Sequence, residues 1–159
     1  MVLRLCLTIL VLTGFIFNFP IFLEAATVCK GAAACFSGNV TKVVDGDTLD
    51  VNGIRIRLSL INTPEVGMKN YIEAKDLALK LCPVGSMALV DQDDGQTRGS
   101  YGRMIGEVYC NFKAGVENLT LTKNLSEEEE LKSGLAEILT KYCASSEFAS
   151  ELWAKKYGC

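Results

Sequence analysis

The 159-residue chain predicts an α+β fold, a five-stranded β-barrel with about three α-helices. Three observations point there. Ile54, Ile56, Leu58 and Leu60 alternate with Arg55, Arg57 and Ser59, the period of two that marks a half-buried strand. Asn52-Gly53 directly before this run is the strongest short signal for a hairpin turn. Ala74, Leu77, Ala78 and Leu81 then recur at helical spacing, so a helix interrupts the series of strands.

In chain order, residues 40–45 read as a first strand and residues 48–51 as a second that enters the Asn52-Gly53 turn. The third strand starts at Ile54 and is expected to end near Asn62, because Pro64 lacks an N–H and restrains the residue before it. Arg57 falls on the face of that strand opposite the isoleucines and leucines. Asn70 with Glu73 makes a capping-box-like start for the helix, and Pro83 and Gly85 end it. Residues 87–91 read as a fourth strand, 93–100 as a polar loop and 103–110 as a fifth strand. Five short strands with a helix between the third and fourth are the order of an OB-type barrel.

Beyond the barrel, residues 111–124 suggest a hairpin through Leu119 and Leu121. Ser126 with Glu129 caps a short second helix that stops before Gly134. The run Glu127, Glu128, Glu129, Glu130 reads as a solvated first turn, favoured by the helix dipole. A last helix is expected over residues 146–156, with Phe148, Leu152 and Trp153 facing the core.

Arg4 precedes an apolar run over residues 5–23, followed by Ala25 and Ala26. This pattern reads as a secretory signal over residues 1–26, with an uncleaved anchor as the alternative, and leaves residues 27–159 as one domain. The expected location is therefore secreted or at the cell surface. Cys6 lies in the signal, and Cys29, Cys35, Cys82, Cys110, Cys143 and Cys159 remain. An even set behind an export signal argues for disulfides, and although six cysteines allow 15 pairings, near neighbours are the expected partners: Cys29–Cys35, Cys82–Cys110 and Cys143–Cys159. Asn118 and Asn124 open possible N-glycosylation sequences, and Asn39 opens a third that is disfavoured because it starts a strand.

Composition also excludes chemistry. The chain has no histidine, so no Ser-His-Asp triad, Cys-His pair or histidine base exists. Hydrolysis would need carboxylates, arginines and a metal. The net charge of −3 gives no global attraction for a polyanion, so nucleic-acid binding requires local positive charge.

Local charge is present in three motifs: Asp45-Gly46-Asp47-Thr48, then Arg57-Leu58-Ser59-Leu60-Ile61-Asn62-Thr63-Pro64-Glu65, then Tyr101-Gly102-Arg103. Singly, the aspartates are ordinary turn formers, Arg57 with Glu65 a surface ion pair, and Arg103 a strand-edge charge. Together they supply oxygen ligands for a hard cation and two guanidinium forks for a phosphodiester. In this order and spacing the chain resembles the staphylococcal nuclease (thermonuclease) family over residues 40–142.

The resemblance implies Ca2+ held by Asp47, Asn62 and the Thr63 carbonyl, with Asp45 acting at longer range through water. Asn62 departs from the family, where an aspartate is usual, and the lost charge implies weaker calcium binding. Glu65 is implied to orient or deprotonate the attacking water, Arg57 to clamp the scissile phosphate, and Arg103 to donate to the charge of the transition state. Tyr101 and Tyr142 fall near the family's nucleotide pocket, whose other tyrosine is Thr140 here. The implied function is an exported, calcium-dependent nuclease acting on DNA and RNA with little sequence preference. It would leave 3′-phosphate ends and work as a monomer without a stable protein partner. The rivals are a catalytically silent nuclease-like module that binds nucleic acid or protein, and a disulfide-stapled structural module.

Overall fold

The structure is a computed structural model and describes residues 29–111 and 127–159. Strands β1 (Cys35–Val43), β2 (Thr48–Val51), β3 (Ile54–Leu58), β5 (Met87–Gln92) and β6 (Met104–Cys110) close into a barrel in the order β1-β2-β3-β6-β5. Two short strands outside it, β4 (Ile61–Asn62) and β7 (Glu137–Ile138), pair with each other. Helix α1 (Tyr71–Leu81) lies between β4 and β5, while α2 (Glu127–Ser133) and α3 (Leu152–Tyr157) follow the barrel. The predicted OB-type α+β fold is therefore the observed one.

The β2–β3 hairpin forms where Asn52 and Gly53 both take positive φ, 49° and 78°, as a type I′ turn needs. Its register sets Thr48 opposite Arg57 and Asp50 opposite Arg55. Leu49, Val51, Ile56 and Leu58 fill the interior, where they meet Val40, Val90 and Val108. A register shift between Val40 and Lys42 bends β1 so that it pairs with β2 on one side and β5 on the other. Closure comes from parallel pairing of β3 with β6, Ile56 opposite Met104 and Leu58 opposite Gly106. A Cβ at Gly106 would stand 2.4 Å from the Asp91 carbonyl oxygen, so only glycine permits that approach.

The structure departs from the sequence reading in five places. β1 starts at Cys35 and ends at Val43, because Cys35–Asn39 pair with β5, whereas the first strand is predicted over residues 40–45. The predicted third strand breaks at Ser59, because Leu60 takes φ 62° and turns the chain out of the barrel to pair as β4. Helix α1 starts after Asn70 as expected, yet Asn70 has φ 66° and its side chain makes no capping bond. The predicted final helix is a 3-10 turn over Glu147–Ser150 followed by α3, separated by extended backbone at Glu151 (ψ 151°). That break rotates the face, so Phe148 and Trp153 are buried while Leu152 is 85% exposed. Glu130 is 0% exposed and not solvated, because α2 packs that side of its turn inward beside Leu131.

All three near-neighbour cysteine pairs stand at disulfide distance, with Cα separations of 6.0 Å for Cys29–Cys35, 5.3 Å for Cys82–Cys110 and 5.4 Å for Cys143–Cys159. They fasten the N-terminal loop to β1, the end of α1 to the end of β6, and the last residue to the segment after β7. Among the described residues no helix is long and apolar enough to cross a membrane. The predicted signal (residues 1–26), the hairpin through Leu119 and Leu121, the Ser126 cap, Asn118 and Asn124 lie outside the described residues.

Candidate active site

The connection from β1 to β2 is the tight turn Asp45-Gly46-Asp47. The Asp47 N–H donates to Asp45 Oδ1 at 3.2 Å, and the Val44 N–H donates to the Thr48 carbonyl at 2.9 Å. Gly46 is required by close approach: a Cβ there would stand 2.8 Å from Thr63 Cγ2 and Oγ1 and 2.9 Å from the Ala74 Cβ. The turn is thus pressed between α1 and the Thr63 segment.

That pressing makes Asp47 the hub. It is 3% exposed. Its Oδ2 accepts from the Thr63 N–H at 2.7 Å and Thr63 Oγ1 at 3.0 Å, and its Oδ1 accepts from Thr48 Oγ1 at 3.1 Å. Arg57 Nη1 stands 2.9 Å from the same Oδ1. Nη1 makes no aligned hydrogen bond, so this contact is a close ion pair whose geometry leaves the N–H vector free. Arg57 Nη2 donates to Asn62 Oδ1 at 3.1 Å. Asn62 in turn donates to Glu137 Oε1 at 3.4 Å across the β4–β7 pair. Removing one member of such a buried pair strands the other charge, at a cost of about 3 to 5 kcal/mol.

Arg103, directly before β6, reaches the same centre. Its Nη1 is 3.5 Å from Thr48 Oγ1, and its Nε donates to the Ser100 carbonyl at 3.1 Å. The two guanidiniums therefore meet the linked Asp47–Thr48 pair, Arg57 at the Asp47 carboxylate and Arg103 at the Thr48 hydroxyl that donates to that carboxylate. Asp45 lies at the rim, where burial and then the charge of Asp47 hold its carboxyl above the usual carboxylate range.

The structure brings together Asp45, Asp47, Arg57, Asn62, Thr63 and Arg103. Glu65 follows directly after Thr63-Pro64, is exposed, and has its carbonyl engaged by the Met68 N–H at 2.9 Å. Tyr101 is 97% exposed at φ 60°, with its ring centroid 5.8 Å from the Arg103 guanidinium carbon. Tyr142 is 38% exposed and lies under Lys141, 4.7 Å from its Nζ to the ring centroid, with no direct bond to the Asp47 cluster. Glu130 and Glu137 went unrecognised in the sequence. Glu130 is held neutral by burial, then by Asp47 and Asp45, its carboxyl pushed up to about 9. Only the pairing of Asn62 with Glu137 reveals the second, and no spacing in the sequence signals that pairing.

Among the described residues no three acidic, histidine or cysteine side chains converge as a ready metal site. The candidate donors are instead mixed oxygens: the Asp45 and Asp47 carboxylates, the Asn62 amide and the Thr63 carbonyl. That chemistry fits a hard cation such as calcium. Arg57 now occupies two of those oxygens, Asp47 Oδ1 and Asn62 Oδ1.

A five-stranded OB-type barrel with an aspartate–arginine pair and a second arginine at one end belongs to the nuclease-type folds. Residues 55–156 match the family model described as staphylococcal nuclease homologue, and the chain belongs to that family. The matched segment holds Arg57, Asn62, Thr63, Glu65, Tyr101, Arg103 and Tyr142, whereas Asp45 and Asp47 join them through the contacts above. No curated protein matches the chain.

Proposed function

We propose that this protein is an exported, calcium-dependent nuclease that hydrolyses DNA and RNA phosphodiesters with low sequence preference. The observation that carries the reading is the approach of Arg57 and Arg103 to the Asp47–Thr48 pair, Arg57 at the buried carboxylate and Arg103 at the hydroxyl bonded to it. In-line attack on a phosphodiester builds negative charge on the equatorial oxygens, and two preorganised guanidiniums are the groups that stabilise it. Arg57 clamps the scissile phosphate and Arg103 donates to the oxygen that gains charge. Glu65, exposed and two residues after Thr63, orients the attacking water and accepts its proton. Asp47, Asn62 and Thr63, with Asp45 through water, would hold calcium, which supplies further positive charge against the phosphate when bound. Tyr101 and Tyr142 would contact the nucleotide. The three cysteine pairs favour an extracytoplasmic location, in keeping with the signal-like N-terminus.

A second reading, a module that binds nucleic acid or protein without cleaving, draws support from Asn62 and from the net charge of −3. The variants Arg57→Lys, Arg103→Lys and Glu65→Gln separate the two. Losing one charge-assisted donor costs about 3 to 4 kcal/mol of barrier, a few hundredfold in rate. Lysine does not restore the two-pronged contact. Folded variants that cleave DNA at wild-type rates, judged beside their melting temperatures, would remove the assigned roles.

A further inference from the structure

The side chain of Asn62 has two unlike ends, and only one of them suits the site. Its carbonyl oxygen can ligate a hard cation or accept from a guanidinium, whereas its NH2 group can do neither. The amide must therefore be turned one way. In the structure each end has its own partner: Oδ1 accepts from Arg57 Nη2 at 3.1 Å, and Nδ2 donates to Glu137 Oε1 at 3.4 Å.

The two partners differ in permanence. Arg57 covers Asn62 Oδ1 and stands 2.9 Å from Asp47 Oδ1, both oxygens assigned to calcium, while its own assigned target is the scissile phosphate. Asn62 Oδ1 is free to act as a ligand only when Arg57 withdraws, and the amide then loses the partner that marks its oxygen end. Glu137 stays. It is exposed and makes no ion pair among the described residues, so no cation competes for its carboxylate. It stands directly opposite Asn62 in the β4–β7 pair, which sets both side chains on one face of that pair. β7 is itself secured. Ile138 pairs with the buried Ile61, the Leu139 N–H donates to the Leu60 carbonyl at 2.6 Å, and the C-terminal residues lie against the strand, since a Cβ on Gly158 would stand 3.1 Å from Ile138 Cγ2. The Cys143–Cys159 pair ties those last residues to the segment that follows β7.

We propose that Glu137 is a positioning residue for the calcium site, whose carboxylate accepts from Asn62 Nδ2 and so keeps Asn62 Oδ1 aimed into the site once Arg57 withdraws. A carboxylate can do this because it only accepts: it pairs with the NH2 end of the amide and repels the oxygen end. An outer partner of this kind commonly contributes about tenfold or more to metal affinity. Glu137 acts through Asn62, and its role rests on the calcium site of the proposed function.

A double-mutant cycle on the disulfide-bonded protein tests this, with wild type, Glu137→Gln, Asn62→Asp and the double variant. Glu137→Gln keeps the size of the side chain but offers donor and acceptor alike, so it no longer selects one end of the amide. Asn62→Asp leaves no unlike ends to select. Calcium dissociation constants are read without nucleic acid, from the rise in melting temperature with calcium over its value in chelator. Glu137→Gln is expected to weaken calcium binding about tenfold in the wild-type background. In the Asn62→Asp background the loss is expected to be about threefold or less, the screened charge of an exposed carboxylate. Loss of charge alone, or a loosened β4–β7 pair, would weaken binding equally in both backgrounds. Equal losses, or none in either, therefore overturn the positioning role. A wild-type melting temperature that calcium leaves unchanged overturns the calcium site, and the role falls with it. Wild type that binds calcium yet leaves denatured DNA intact overturns the nuclease reading alone, and the cycle still decides the role of Glu137.

Discussion

Glu130 is a stability liability whose size follows from its surroundings. Both carboxyl oxygens are buried without a hydrogen-bond partner among the described residues. Burial, with Asp47 and Asp45 nearby, raises its pKa from 4.5 to about 9, against a smaller opposing pull from Arg57. In the unfolded chain the same group ionises near 4.5, so between pH 4.5 and 9 folding must take up a proton. The unfolded state binds fewer protons there, and stability falls as pH rises. Physiological pH lies two and a half units above 4.5, and at about 1.4 kcal/mol per unit the cost is about 3 kcal/mol. Glu130→Gln keeps the shape and removes the ionisation. It should stabilise the chelator-treated protein by about 3 kcal/mol at pH 7, a rise in melting temperature on the order of 10 °C. The gain should shrink to almost nothing at pH 4.5. Urea melts of wild type and variant across this range give the difference curve, which cancels every other titrating group. A flat difference curve, or a variant less stable at pH 7, would refute the reasoning.

Two further outcomes follow from the site and the cysteines. Asn62→Asp should lower the calcium concentration at half-maximal activity, since it restores a ligand charge, and an unchanged midpoint in a calcium titration would count against Asn62 as a ligand. Reduction should destabilise the domain by about 2 to 5 kcal/mol for each cysteine pair lost, and thiol counting on the native protein should find no free cysteine among the six.

The barrel was legible because its signals are local. Asn52-Gly53, the alternation from Ile54 and the spacing from Ala74 each need only neighbouring residues, and a hairpin turn, a strand and a helix start where each signal stands. The failures occur where tertiary packing overrides a local pattern. Leu60 continues the alternation in sequence, yet a left-handed turn there sends Ile61 and Asn62 to pair with β7, a partner more than seventy residues away. Arg57 lies on the face opposite the isoleucines and leucines, as its register predicts, yet its side chain is only 12% exposed because Asp47 and Asn62 close over it. Leu152 and Glu130 exchanged their expected environments for the same kind of reason. A break at Glu151 turned one outward, and the packing of α2 turned the other inward. The motif residues themselves were readable from residue type and order, but Glu137 needed the strand pairing that only the fold supplies.

The central claim is that Asp47, Arg57, Glu65 and Arg103 form a working calcium-dependent phosphodiesterase. The most direct measurement is the release of acid-soluble nucleotides from denatured DNA by the disulfide-bonded protein, in excess calcium and in chelator. The account predicts steady release with calcium and loss of nearly all activity in chelator, with recovery when calcium is restored. Hydrolysis undiminished in chelator, or absent in both conditions from a folded protein, would contradict it.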